Sequence, residues 1–192
     1  MAPSPIAGCV PSTFNGLTLF GADILSVHAS LVSNYSVSVP AEARFIAPAT
    51  ELVDATFCNV TVSYTHPGQN DDVTVEAWLP ESEEWNERLQ AVGGGGYVAG
   101  RFALSYGTMS GALADGYATI TTDAGLGYKT LNLGTGLGGA SDPSPWALLS
   151  PGNVNLYKLN NLGSTSLNDE VDIMALHYLC SFHSLIFIYF SK

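Results

Sequence analysis

Four consecutive glycines, Gly93 to Gly96, stand in the stretch LQAVGGGGYVAG, between a short apolar run and a segment of small residues. Glycine loses more backbone freedom on folding than any other residue, so four together imply that bare backbone is needed there. Two chemistries use such a loop. A dinucleotide site would use the Gly94-x-Gly96-x-x-Ala99 spacing after a strand, with Asp123 closing the next strand where a ribose-binding acid sits. Asp123 lies nearly thirty residues beyond Gly94, whereas that fingerprint expects about 20. An acyl-transfer site would instead use the loop N–H groups as an oxyanion hole. Glycines suit it because a side chain would keep the substrate carbonyl from its donors. Each such donor is worth roughly 3 kcal/mol of barrier.

A nucleophile and base are harder to find. No G-x-S-x-G match occurs, and GTMSG (107–111) has the wrong spacing. Ser181 follows a cysteine in CSF, but Phe182 and His183 stand where a strained elbow needs small residues. Ser181 therefore reads as a chance match. His28, His66, His177 and His183 read as surface or core histidines, since no Ser/His/Asp set can be assembled by motif. Asp123 in TTDAG has two readings that stay open, a site acid at a strand end or a loop acid capping the next turn. Cys9, Cys58 and Cys180 show no C-x-x-C spacing and no accompanying histidine cluster, so no zinc or other metal site is expected. Asn34 and Asn59 head two sequons, candidate glycosylation sites in a secreted protein.

The elements that must position these residues read as an α/β chain. FCNVTVSYTH (57–66) and VTVEAWLP (73–80) alternate with period two around the turn PGQNDD, which predicts an antiparallel hairpin. RLQAV is a further extended run ending at the glycines. RFALSYGTMSGALADG reads as partly helical, and YATITTD (117–123) as a strand. Residues 124–152 read as loop, and NVNLYKLNNLGSTSLNDEVDIMALHYL returns to helical spacing. Within residues 1–55, ILSVHASLVSNYSVSVP holds one or two strands. The order predicts a sheet that begins antiparallel and turns parallel. The last residues, SFHSLIFIYFSK, differ in tone: they read either as a buried terminal strand or as sequence foreign to the rest.

The 192 residues suffice for one domain. Charged residues make up 12%, about half the usual share. Six basic residues against 17 acidic ones give −11, with nine of the acids between Glu51 and Glu87. That balance excludes nucleic acid and anionic membrane surfaces as partners. No stretch is long enough to span a bilayer. A Lys-poor, acidic, Gly- and Ser-rich chain fits an extracellular protein. MAPSPIAGCVPSTF lacks signal-peptide regions, and reads as a mature N-terminus or as a start placed downstream of a signal.

FCNVTVSYTHPGQNDDVTVEAWLP, WNERLQAVGGGGYVAG, GYATITTDAG and WALLSPGNVNLYKLNNLGSTSLND together resemble the N-terminal part of the fungal tannase and feruloyl esterase family, over about residues 9 to 175. The resemblance implies a secreted serine esterase acting on galloyl or feruloyl esters, with an α/β-hydrolase fold and an inserted lid that holds calcium. It implies that Gly93, Gly94, Gly95 and Gly96 form the oxyanion loop and that Cys9 pairs with Cys58. The family's nucleophile lies in a Cys-Ser-x-Gly-Gly elbow, with its acid and histidine far downstream, and none of these is present. The expectation is thus an incomplete α/β-hydrolase, an N-terminal antiparallel hairpin plus the first parallel strands, without the lid. Residues 1–178 would be the family portion and 179–192 a non-family tail from a faulty gene model. No cofactor is expected in this chain, the family calcium belonging to the lid. A small phenolic ester is the expected partner of a full-length parent, while these 192 residues are expected to be inactive. A non-catalytic binding protein or a dinucleotide-binding domain are the alternatives.

Overall fold

Alternating apolar residues put one strand face into each half of the core. Strand β2 (Thr50–Thr65) sends Cys58, Val60, Val62 and Tyr64 to one side and Phe57 to the other. It pairs antiparallel with β3 (Val73–Pro80), Phe57 opposite Pro80 and Tyr64 opposite Val73, so the expected hairpin forms in full. The computed structural model describes residues 8–44, 47–127, 143–182 and 187–190. Before the hairpin runs a single strand, β1 (Asp23–Val39), paired with β2 along its length from Asp23↔Thr65 to Val39↔Thr50. Asn34 and Asp54, both at positive φ, sit where that register shifts.

The sheet then turns parallel. Strand β4 (Arg88–Ala91) leads through helix α1 (Ala103–Ala114) to β5 (Ala118–Thr122), which lies between β3 and β4, antiparallel to the first and parallel to the second. Helix α2 (Ser144–Ala147) and a small hairpin, β6 (Leu148–Ser150) with β7 (Asn153–Val154), follow. This corrects part of the 124–152 loop expectation; 128–142 lies outside the described residues. Helix α3 (Leu156–Asn160), capped by Asn155 Oδ1 accepting the Lys158 N–H, passes through a π turn (Asn161–Thr165) into α4 (Ser166–Phe182). Strand β8 (Phe187–Phe190) pairs parallel with the free side of β4, Ala91 opposite Phe190. The order is β1-β2-β3-β5-β4-β8.

Helices cover both faces, so β3 and β5 are buried almost throughout and read as continuous apolar or β-branched runs. On one face α1 brings Met109 and Leu113 onto Phe57, Trp78 and Val92, where Phe57 stacks on Trp78 at 4.7 Å. On the other, α4 brings Ile173 and Met174 onto Val60, Val62, Val75 and Ile120, together with Phe14 and Leu19 from the N-terminal segment. The connection from β4 goes inward to β5, while α4 leads to β8 on the opposite flank. The carboxyl ends of β4 and β8 therefore stand side by side at a switch in strand order, the edge where α/β folds hold ligands.

Cys9 and Cys58 form a disulfide, Cα–Cα 5.6 Å, which fastens the N-terminal segment to the middle of β2. The two residues are 49 apart in sequence. Closing a loop of that size restricts the unfolded chain, and Cys9→Ser should cost about 2–4 kcal/mol. Urea unfolding of the oxidised chain and the variant measures this, and coincident midpoints would show that the segment is held by its apolar contacts alone.

Candidate functional site

The glycines leave β4 at its carboxyl end and form the rim of a cleft of about 400 Å³. Gly93 to Gly96 line it with Ala91, Val98, Ala99 and Gly100 on one side. Thr122 and Ala124 after β5, and Leu162, Ser166, Leu167 and Glu170 from the π turn and α4, complete it. Within the loop, the Val98 N–H donates to the Gly95 carbonyl at 3.2 Å and Ser105 Oγ donates to the Gly93 carbonyl at 3.0 Å. Both bonds consume carbonyls and neither uses the N–H of Gly94, while Gly95 and Val98 face each other as an isolated antiparallel bridge. A Cβ on Gly94 would lie 2.0 Å from the carbonyl oxygens of Val98 and Ala99, so only glycine closes this loop. Gly93 and Gly95 have open space where a Cβ would point, and Gly96 needs its φ of +62°.

The far end of the loop is fixed by charge. Arg101, at φ +56°, places Nε 3.3 Å from Glu76 Oε2 and Nη1 3.6 Å from Asp123 Oδ2. Buried Glu76 also accepts from Tyr106 OH at 2.7 Å, Trp78 Nε1 at 3.0 Å and Asn59 Nδ2 at 3.1 Å, so its charge is fully engaged. Asp123 Oδ1 accepts the backbone N–H of Thr74 at 2.9 Å and of Gly125 at 2.8 Å. Burial pushes the Asp123 carboxyl above the usual carboxylate range, against the pull of those donors and of Arg101. Asp123 thereby caps the turn after β5 and ties β3 to it.

A buried polar network ties the hairpin turn to the π turn and α4, the elements that supply Leu162, Ser166 and Glu170 to the cleft. His66 Nδ1 meets Asp71 Oδ2 at 2.6 Å and Nε2 meets Asp169 Oδ2 at 3.1 Å. Tyr64 OH donates to Asp169 Oδ2 at 2.9 Å, and Asn161 Nδ2 donates to Asp71 Oδ2 at 2.7 Å. Burial works against the Asp71 charge, but donors from His66 and Asn161 outweigh it and hold its pKa below the ordinary value. Burial wins at Asp169, whose pKa is raised despite Tyr64 and His66. One residue on, Glu170 is 1% exposed and Oε1 has no hydrogen-bond partner among the described residues. Burial alone pushes its carboxyl up to about 8.

The described residues bring no Ser–His pair together. Ser105 and Ser166 each donate to a carbonyl, and both His66 nitrogens face carboxylates. His177, Ser181 and His183 carry no described side-chain positions. The dinucleotide spacing loses its context, because α1 begins at Ala103 rather than on the glycines and Asp123 is committed to backbone. The two sequons part company. Asn34 is exposed at a bulge, whereas the Asn59 amide nitrogen, the atom a glycan would take, donates to buried Glu76, and its Oδ1 is buried. Sequence reasoning missed Glu170, Asp169 and Asp71. A signal existed for the first: Glu170 shares the helical spacing of Ile173 and Met174 and so belongs to the apolar face of α4.

No family model matches the chain. Over 151 residues, 78% of this chain, it is 38% identical to the probable feruloyl esterase of Arthroderma benhamiae, covering 24% of that protein. Over 56 residues it is 39% identical to the tannase of Aspergillus oryzae, covering 28% of this chain and 10% of the tannase. The tannin acyl hydrolase from Aspergillus niger shares the fold, with a TM-score of 0.73 over 100% of this chain and 33% of its own, at 23% identity. The chain thus spans well under half the length of the relatives it matches.

Two outcomes follow from this geometry. In a glycosylating host, Asn34→Gln should abolish the endoglycosidase-sensitive mass shift while Asn59→Gln leaves it unchanged; a shift lost only with Asn59 would contradict the placement of that amide. The buried acids set opposite pH slopes. Asp71, depressed in the native state, gives stability that is present above its ordinary 3.8 and lost as pH falls through its folded value. Glu170, raised from 4.5 to about 8, binds its proton more tightly when folded, so stability declines as pH rises from 4.5 through about 8. Asp123 and Asp169 add in the same direction. Glu170→Gln should flatten this upper slope in urea unfolding across pH, and an unchanged slope would mean Glu170 is already ionised when folded.

Proposed function

Over the region its relatives share with it, the chain belongs to the tannase and feruloyl esterase family, and from that premise we propose that it supplies the oxyanion-binding half of a carboxylic ester hydrolase acting on phenolic esters. The observation that carries this is the glycine loop. It leaves a parallel strand at its carboxyl end, keeps the N–H of Gly94 out of its internal hydrogen bonds and has open space at Gly95, and borders a cleft beside the end of β8. An ester carbonyl seated there would direct its oxygen at the loop backbone, the Gly94 N–H foremost. Attack at the carbonyl carbon moves charge onto that oxygen, and donors already in place stabilise it without reorganising. Arg101, Glu76 and the Ser105–Gly93 bond act as positioning groups, holding the loop from both ends.

The fold, on this reading, is the first part of an α/β-hydrolase: an antiparallel hairpin, then parallel strands β4 and β5. Residues 1–178 form the family portion, and β8, in the tail beyond it, takes the place beside β4 that a strand following the crossover would fill. Secretion accords with the Cys9–Cys58 disulfide, which persists in oxidising surroundings. No residue of this chain is given a metal role. A non-catalytic binding protein on the same fold is the second reading, favoured by Ser105 and Ser166 both being engaged with backbone and not with histidine.

The test is a pair of proteins. The 192 residues alone should show no turnover of methyl ferulate or methyl gallate. Residues 1–178 joined to the remainder of the Arthroderma benhamiae feruloyl esterase should hydrolyse methyl ferulate. Gly95→Val in that chimera fits the open space at this position yet crowds the donors, and should lower kcat about 100-fold with little change in melting temperature. A folded chimera indifferent to that change would remove the loop from the chemistry.

A further inference from the structure

The cleft contains a group for which the hydrolysis reading has no use. Its two hydroxyl side chains are occupied: Thr122 Oγ1 accepts the Ala124 N–H at 3.1 Å, and Ser166 Oγ donates to the Asn161 carbonyl at 2.7 Å. The remaining side chains lining it are aliphatic, apart from Glu170. An unpartnered carboxyl at 1% exposure is costly, and it is normally found only where something else completes its hydrogen bonds. We infer that Glu170 is a ligand-binding group of this cleft, its carboxyl meeting the phenolic oxygen of a small, neutral aromatic ester while the loop N–H groups face the ester carbonyl.

The walls accommodate the ligand class of the proposed function. Aliphatic side chains from both rims favour a flat apolar body, and the few polar groups fix its orientation. A charged ligand would find no countercharge among the lining residues. The carboxyl is neutral at pH 7, since burial holds it up to about 8, so it can donate one hydrogen bond and accept another. A phenol hydroxyl offers the complementary pair.

The groups around Glu170 leave it to act alone. Tyr64 on β2 feels its charge but is committed to Asp169, and Asp169 faces Tyr64 and His66. Asp123, between the lining residues Thr122 and Ala124, faces Thr74, Gly125 and Arg101.

The inference rests on the reading of the cleft as an ester site, but it needs no covalent step. Binding of methyl 3-(4-hydroxyphenyl)propanoate, whose unconjugated phenol keeps a pKa of about 10, to the 192-residue chain, followed by titration calorimetry, tests it. Wild type should bind saturably at about pH 6 and weaken about tenfold by about pH 9, as the carboxyl ionises while the phenol stays largely neutral. Glu170→Gln keeps a neutral donor and acceptor, so it should bind within about threefold of wild type and lose the pH dependence. Glu170→Leu should weaken binding about tenfold at about pH 6. Near-UV circular dichroism of each sample establishes that it is folded at both pH values. Equal binding by all three proteins at both pH values overturns the role of Glu170 while leaving the ester reading intact. Absence of saturable binding by folded wild type overturns both.

Discussion

A histidine held between two carboxylates fixes how the second half of this chain meets the first. His66 bonds Asp71 within the hairpin turn and Asp169 on α4, more than a hundred residues later, and Tyr64 and Asn161 complete the set. Taking these groups out of water is costly unless each finds its partners, and breaking one buried pair typically costs 3–5 kcal/mol, about as much as removing a large core side chain. Apolar contacts alone would press α4 against the sheet without fixing its register; Ile173 and Met174 could slide by a fraction of a turn among Val60, Val62 and Val75. Directional bonds at His66 permit one position. That position delivers Glu170 to the cleft and turns the π segment so that Leu162 and Ser166 line the same space.

The glycine loop meets the opposite demand, of approach rather than direction. At Gly94 the obstacle to a side chain is two backbone carbonyls, of Val98 and Ala99, in the returning loop, which cannot step aside. Gly100 has the same difficulty against Thr121 Oγ1, where a Cβ would lie 1.9 Å away. Between these points the chain turns back on itself, with Arg101 at positive φ anchored by Glu76 and Asp123. The run of four glycines therefore divides by role. Gly94 is fixed by packing, Gly96 by its φ, and Gly93 and Gly95 by neither. The last two are the positions where a bare backbone serves a visitor better than it serves the fold.

Much of the fold was legible because the sheet obeys period two. The β2–β3 hairpin, β4 and β5 stand where alternation and β-branching place them, and the switch from antiparallel to parallel follows from a helix replacing a turn as the connector. The β6–β7 hairpin was hidden among Gly, Ser and Pro, since its two short strands carry no pattern long enough to read. The glycine loop was legible as a need for backbone. The acids were not. Asp71 stands in what reads as a solvated turn, Asp169 and Glu170 in what reads as a polar helix start, and only the tertiary fold converts them into buried partners. Asn59 misleads for the same reason, because a sequon contains no information about Glu76 on the neighbouring strand.

The two polar devices of the cleft act at different moments. Oxyanion donors interact weakly with a neutral carbonyl and strongly with the charge that develops during attack, so their worth is felt in the transition state. A neutral carboxyl against a phenol is felt from the first encounter, since both groups are already polar in the ground state. A loop of bare N–H groups confers little affinity by itself; the apolar walls and Glu170 supply it. Binding and rate enhancement are thereby carried by separate residues on separate elements, the loop after β4 and the buried face of α4. The His66 clamp is what keeps those elements in register, which is why a network remote from the ester carbonyl still governs whether both devices address one ligand.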